Sequence, residues 1–465
     1  MHSRARLPRN KNAAPFGQYD LPPMTTPLPT QAPAPVSLGA AFRYWLKLGL
    51  ISFGGPAGQI AIMHTDLVEK RRWISEKRFL HALNYCMVLP GPEAQQLATY
   101  IGWLMHRTWG GVIAGGLFVL PSLVILILLT WVYMAFGQLP AVAGILYGIK
   151  PAVTALVLHA AWRIGSRSLK NAWLWAITAA AFVAIFAFNT PFPLIVIGAG
   201  LIGMAGGKYL PKKFALGGGH GAGRASYGPA LIDDDTPTPA HARYSKARLL
   251  TLGGACVALW LAGYALVSRV PVLADMGLFF TKAALLTFGG AYAVLPYVFQ
   301  GAVEHYHWLS APQMIDGLAL GETTPGPLIM IVAFVGFVGG WSHQLFGADV
   351  FLAGVAGATV ATFFTFLPSF LFILTGGPLV EATHGDLRFT APLTAISAAV
   401  VGVILNLALF FAWHVFWPHG WDGGADWFAL GLGVAAALAL FRFKLGMIQL
   451  IFGCGAVGLA YSMLR

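Results

Sequence analysis

Phe53-Gly54-Gly55, Trp73, Ser75 and Pro90-Gly91-Pro92 recur in this chain as Phe288-Gly289-Gly290, Trp308, Ser310 and Pro325-Gly326-Pro327, each pair 235 positions apart. Further on, the register shifts once, by twelve residues, so that Leu120-Pro121-Ser122 matches Leu367-Pro368-Ser369 and Ala152-Val153 matches Ala399-Val400. Each set lies inside apolar sequence long enough to enter a membrane. The chain therefore reads as one membrane unit written twice, and helix-breaking Gly and Pro at matching places in two halves point to the site between them.

Hydrophobic residues make up 57% of the chain and charged residues 10%, with mean hydropathy +0.70. A soluble domain carries about 25% charged residues. Apolar runs near the length of roughly 20 residues that a transmembrane helix needs recur along nearly the whole sequence. The expected class is an all-α polytopic membrane protein with two repeats in inverted topology and Gly/Pro-broken or re-entrant helices. The net charge of +12 sits in short clusters between apolar runs, as topogenic charge does, and forms no aromatic-interleaved patch for nucleic acid. Cys86, Cys256 and Cys454 are scattered and odd in number, which favours neither a disulfide frame nor a metal site.

Residues 1–38 read as a disordered basic tail without the apolar core of a signal peptide, 39–207 as the first repeat and 208–248 as a flexible linker. Residues 249–273 form an extra connecting helix, and 274–465 the second repeat. Candidate membrane segments lie near 38–65, 80–105, 111–135, 140–162, 172–188 and 191–207, then 249–268, 274–300, 313–340, 347–375, 390–417, 426–441 and 444–463. The connection at 69–78 holds Lys70, Arg71, Arg72, Lys77 and Arg78, whereas its counterpart at 304–313 has no Lys or Arg, so the two face opposite sides by the positive-inside rule. If all thirteen segments crossed, the tail, residues 163–170 and the linker would lie opposite the basic 69–78 connection, against the same rule. Folding the two Gly/Pro-interrupted segments of each half back as re-entrant hairpins leaves nine spans and gathers these clusters on one side. Non-helical backbone is allowed at that depth where protein or a wet cavity surrounds it, so this arrangement is the one expected.

Phe53-Gly54-Gly55-Pro56, and Asn84 with the run from Leu89 to Leu97, resemble the first half of the bidomain chromate transporter family. Gly321-Glu322-Thr323-Thr324-Pro325-Gly326-Pro327 and Leu367-Pro368-Ser369 resemble its second half, although the family often has Gln where this chain has Glu322. The resemblance covers both repeats. It implies a multi-pass exporter in a bacterial inner membrane that removes chromate from the cytoplasm and confers resistance to it.

Chromate is a tetrahedral dianion that only accepts hydrogen bonds. Broken helices offer it free N–H groups at half-helix N-termini, so Phe53, Gly54, Gly55, Pro90, Gly91, Pro92, Phe288, Gly289, Gly290, Pro325, Gly326 and Pro327 are candidate substrate-binding positions. Lys47 and Lys282 each lie six residues before a Phe-Gly-Gly element and would neutralise a dianion, unless they snorkel to the interface. Gln95 and Thr324 add neutral hydrogen bonds, and Glu93 and Glu322, beside the two Pro-Gly-Pro breaks, are candidates for coupling protons. Expected partners are chromate or sulfate and the bilayer, with a homodimer left open and no nucleic acid, cofactor or metal.

The sequence has no nucleotide-binding Gly-x-x-x-x-Gly-Lys-Ser/Thr loop, so transport would draw on gradients. A dianion leaving a negative-inside cell gains about 4.6 kcal/mol per 100 mV, twice the roughly 2.3 kcal/mol of one charge. Two rivals stand beside chromate export: a carrier for sulfate or another oxyanion, and a membrane enzyme acting on lipid phosphate, which lacks a nucleophile, base and metal set.

Overall fold

The computed structural model describes residues 31–53, 55–214, 227–237, 239–288, 290–382 and 390–464. Gly54, Gly289, most of the 1–38 tail and the Gly-rich middle of the linker lie outside them. The first half runs α1 (Leu38–Ile51), α2 (Gly55–His64), α3 (Glu76–Cys86), α4 (Glu93–Phe136), α5 (Pro140–Ser168), α6 (Ala172–Phe188), α7 (Phe192–Tyr209) and the short α8 (Pro211–Phe214). The second runs α9 (Lys246–Val267), α10 (Pro271–Leu285), α11 (Leu295–Phe299), α12 (Ala311–Thr323), α13 (Ile331–Ser342), α14 (Val350–Ala382), α15 (Thr390–Phe416), α16 (Trp427–Phe441) and α17 (Met447–Leu464). Among the described residues the only β-type pairing is the isolated bridge of Ile74 with Ile232.

α4 is two helices. At His106 (φ −136°) and Arg107 (φ 57°) the backbone leaves helical geometry. A Cβ added to Gly111 would lie 3.1 Å from the Thr99 carbonyl, and one on Gly115 2.7 Å from Gln95 Nε2. Residues 99 and 95 thus face 111 and 115, so the chain doubles back at the turn. Residues 93–105 are the return arm of a hairpin that enters through α3, and 108–136 are the first full span.

The ends of this hairpin meet at one end of the molecule. Arg78 near the start of α3 bonds Glu381 at 3.1 Å, and Tyr100 on the return arm bonds the same carboxylate at 2.5 Å. His106 reaches the Val36 carbonyl at 2.7 Å, which brings the start of α1 to the same end. α1 therefore descends to the Phe-Gly-Gly break and returns through α2 and the π-helical turn Thr65–Lys70. Arms of 10 to 15 residues reach roughly 15–22 Å at 1.5 Å per residue, about half of a bilayer and its interfaces.

The second half repeats this upside down. α10 returns through α11 and a second π-turn, Gln300–His305, and α12 returns through α13. Left-handed Arg72 (φ 51°) matches His307 (φ 53°), and the positive φ of Gly55 and Gly91 recurs at Gly290 and Gly326. At this opposite end Tyr133, near the far end of α4, bonds Asp316 at 3.1 Å, and Trp131 packs on Phe351. The twelve-residue register shift falls where the tight His106-Arg107 turn is replaced by the longer 343–349 connection between α13 and α14.

The repeated Trp and Ser have structural work. Trp73 and Trp308 are buried beneath the connections, and Ser75 and Ser310 cap α3 and α12, Ser310 in a reciprocal capping box with Gln313. Among the described residues seven helices are long and apolar enough to cross a membrane, and α6, Leu328–Ser342 and α16 are shorter apolar helices. With α4 split at its turn and Leu328–Ser342 an arm of a hairpin, the candidate spans are residues 108–136, α5, α6, α7, α9, α14, α15, α16 and α17, which matches the expected arrangement of nine spans and four hairpins. α9 buries only Val267 among its 22 residues, so its apolar surface faces lipid.

The linker departs from expectation. Its described residues 227–248 are docked on the basic connection: Ser75 bonds Asp234 at 2.7 Å, Arg78 donates to the Thr236 carbonyl at 2.7 Å, and Ile232 and Ala242 are buried. Composition suggested a flexible tether, but two apolar residues and Arg-to-carbonyl bonds fix this part. His241 packs on Trp103 and bonds its carbonyl at 2.9 Å, and burial holds its pKa below the ordinary imidazole value of about 6.5. Protonation therefore favours release, and the protection of amides 239–248 against hydrogen exchange, relative to the intrinsic rate at each pH, should fall as pH drops below that value.

Inverted topology predicts that Lys77→Cys and the equivalent Pro312→Cys, both exposed and outside the serine caps, label from opposite sides of sealed membranes in a background lacking the native cysteines. Labelling of both from one side contradicts it.

Candidate functional site

The four hairpin tips cross at the middle of the molecule, each half completing the other. The Gly91 N–H donates to the Thr287 carbonyl at 2.8 Å, and the equivalent Gly326 N–H donates to the Ser52 carbonyl, equivalent to Thr287, also at 2.8 Å. The Leu-Pro-Ser elements join in the same crossed sense. A Cβ on Gly91 would lie 2.5 Å from Ser369 Oγ, and one on Gly326 2.8 Å from Ser122 Cβ. Gln59 clamps one crossing by donating to the Gly326 carbonyl at 2.5 Å and to the Ser52 carbonyl at 3.2 Å. Gln96 donates to the Pro90 carbonyl at 2.8 Å. Gln59 Oε1, Gln96 Oε1 and Ser122 Oγ are buried there without a protein partner.

From the basic end a cavity of about 1040 Å³ runs inward to these tips. α2 lines it through Pro56 and Ala57, α3 through Phe79, Leu80 and Leu83 with Met87 just past its end, and the second half through Gly290, Tyr292, Thr394 and Ser397. Its cations are Arg163 and Arg167 at the end of α5, with Lys170 and Lys213, and none makes an ion pair among the described residues. Of its acids, Glu69 is bonded to His64 at 3.1 Å, and His64 also contacts Glu76. Glu93 lines the cavity and makes no hydrogen bond or ion pair among the described residues. Glu322 is buried and accepts from the hydroxyl of Tyr292.

The expected residues divide. Gly55, Gly91, Gly290 and Gly326 lie at the tips, with Phe53, Pro90, Pro92, Phe288, Pro325 and Pro327 flanking the breaks, while Gly54 and Gly289 lie outside the described residues. The cradle of free N–H groups is smaller than expected, because those of Gly91 and Gly326 are committed to opposite carbonyls. What faces the cavity is the first turn of α2 at Ala57 and the turn beginning at Gly290. The lysine pair is not brought together. Lys47 is exposed on α1 and lines neither cavity, as a snorkelling residue would, and Lys282 lines a second cavity of about 450 Å³ with Glu304 and His305. Gln95 is buried between the return arm and its span, bonded to Thr99, and Thr324 bonds Gly321 at the end of α12.

Arg163, Arg167, Tyr292 and Gln59 were missed because the search favoured residues that recur: position 410, equivalent to Arg163, is Phe, and position 294, equivalent to Gln59, is Val. One signal was available. Arg163 and Arg167 stand four apart on one helical face at the end of an apolar run.

Two inverted repeats, crossed at broken helices, with an open cavity reaching the crossing from one side, define the architecture of a membrane carrier. The family profile described as chromate transporter matches residues 39–204 and 274–459, so this chain belongs to the chromate transporter family. A chromate transport protein of Cupriavidus metallidurans is 30% identical over 96% of this chain and 98% of its own length. One from Pseudomonas aeruginosa is 32% identical over 94% and 96%, and a probable chromate transport protein of Synechococcus elongatus 28% over 79% and 83%. No solved structure matches the chain.

Gly91→Ala and Gly326→Ala each force a side chain into a positive-φ tip against a neighbour. Each should destabilise the protein by about 1–3 kcal/mol, read as a lower Tm in detergent, with loss of transport by the protein that remains folded. Gly116→Ala, where an added Cβ meets nothing, should leave both unchanged.

Proposed function

We propose that this chain carries chromate out of the cytoplasm across a bacterial inner membrane and so gives resistance to it. The single observation that carries the reading is the cation-lined cavity that opens at the basic end and stops at the crossed tips. The positive-inside rule assigns that end to the cytoplasm, so the cavity faces the compartment from which an exporter loads. Unpaired Arg163, Arg167, Lys170 and Lys213 gather a dianion, and the N-terminal turn of α2 with the turn at Gly290 receives it beside Tyr292. The names of the relatives supply chromate as the ion.

Membrane voltage suffices to drive the step, and Glu93 is the group to which proton exchange is assigned. It stands unpaired at the N-terminus of a helix, in the cavity the anion enters. A protonated Glu93 admits the dianion and an ionised one repels it, so the proton occupancy of this carboxylate ties anion movement to pH. Glu322, held by Tyr292 of the same repeat, is the second candidate.

Everted vesicles should accumulate labelled chromate when an inside-positive voltage is imposed, with sulfate a weaker competitor. Preferred accumulation of sulfate would replace the substrate, and no accumulation of either would remove the carrier reading. Arg163→Gln removes one charged donor, about 1.5–3 kcal/mol, and should raise the KM for chromate by roughly tenfold or more. Glu93→Gln should keep voltage-driven uptake and lose acceleration by an imposed pH gradient; an unchanged pH response excludes Glu93 as the coupler.

A further inference from the structure

Two elements that hold the basic cavity apart have equivalents that are pressed together at the opposite end. The cavity lies between α3, which lines it through Leu80 and Leu83, and α15, which lines it through Thr394 and Ser397. By the repeat registers, α12 is the counterpart of α3 and α5 the counterpart of α15. Between α12 and α5 there is an ion pair instead of a cavity: Lys150 Nζ lies 3.5 Å from Asp316 Oδ2, with the side chain of Asp316 only 6% exposed. Tyr133 from the end of α4 donates to the same oxygen at 3.1 Å. Ile315, the equivalent of cavity-lining and only half-buried Leu80, is 1% exposed.

We infer that Lys150 and Asp316 are the closure that seals the carrier on the side opposite its basic cavity, and that it must break for the bound anion to leave. The inference rests on the carrier reading above. At the equivalent positions the chain has Ser397 and His81, which cannot form an ammonium–carboxylate pair with each other, so this pair is not repeated between α3 and α15. In the state that releases the anion, α12 and α5 part while α3 and α15 come together, the two repeats exchanging conformations.

The chemistry suits a contact that is made and broken. Asp316 Oδ1 is buried with no hydrogen-bond partner among the described residues, and a carboxylate satisfied on one oxygen is a poor device for static stability. Replacement of such a pair by apolar contacts would hold the two helices as well, without the means of separating them. Lys150 retains 28% of its side-chain exposure, so its ammonium regains water when the pair opens. Neither residue lies in the basic cavity, which separates this role from anion capture.

The test uses single cysteines at Ile315 and Leu80 in the full chain lacking native cysteines, labelled from the two sides of sealed membranes with an impermeant maleimide and no chromate present. With the pair intact, Leu80→Cys should label from the basic side and Ile315→Cys should resist label from the other. Lys150→Met or Asp316→Asn should raise labelling at 315 severalfold and lower it at 80, and the exchange Lys150→Asp with Asp316→Lys should restore both. A rise at 315 with no fall at 80 is local loosening and overturns the inference, as does no change. Tyr133→Phe, which removes one hydroxyl and no charge, should shift both sites in the same directions if a charge variant fails to fold, and no shift in it also overturns the inference. Because chromate takes no part, failure here leaves the uptake experiment intact, and failure of uptake leaves this one intact.

Discussion

Two hydrogen bonds, from the Gly91 N–H to the Thr287 carbonyl and from the Gly326 N–H to the Ser52 carbonyl, are the constraint on which the rest depends. A hairpin tip at membrane depth exposes backbone groups to a medium with no water to satisfy them, at several kcal/mol for each one left unpaired. Each repeat supplies what the other lacks, so neither half can close its breaks alone. Both tips require positive φ, which is why glycine stands there, and the crowding of Ser369 and Ser122 forbids a side chain in its place.

That mutual completion also positions the cavity. Hairpins that reach only to the middle leave the space beneath them to be filled by protein or left open, and on the basic side it is an open cavity. The same arms at the other end are packed shut around Asp316. One topology with two conformations of its halves is the physical content of alternating access, and the asymmetry visible here is that of a carrier open to the basic side.

Much of this was legible in the sequence, for identifiable reasons. The fixed spacing of Phe-Gly-Gly and Pro-Gly-Pro survives because the tips must meet, and the charge contrast between residues 69–78 and 304–313 survives because topology depends on it. What failed was the assumption that function is as symmetric as the scaffold. Lys47 and Lys282 match in register yet lie on an exposed helix face and in the smaller cavity, since a helix position says nothing about which face the lipid takes. Arg163, Gln59 and the Lys150–Asp316 pair have no counterpart, and a search for recurrence passes over them. The docking of residues 227–248 depends on long-range contacts of Ile232 and Asp234 that no local pattern announces.

The central claim is that the anion passes through the basic cavity and beneath the crossed tips, and Ala57, which lines the cavity at the first turn of α2, tests it most directly. Labelled chromate uptake would be measured in everted vesicles carrying Ala57→Cys, before and after modification with a sulfonate-bearing thiol reagent, with Lys47→Cys treated alike. The account predicts that a bulky anion fixed at position 57 abolishes uptake while the same group at position 47 leaves it unchanged. Uptake that persists with position 57 fully modified would contradict it.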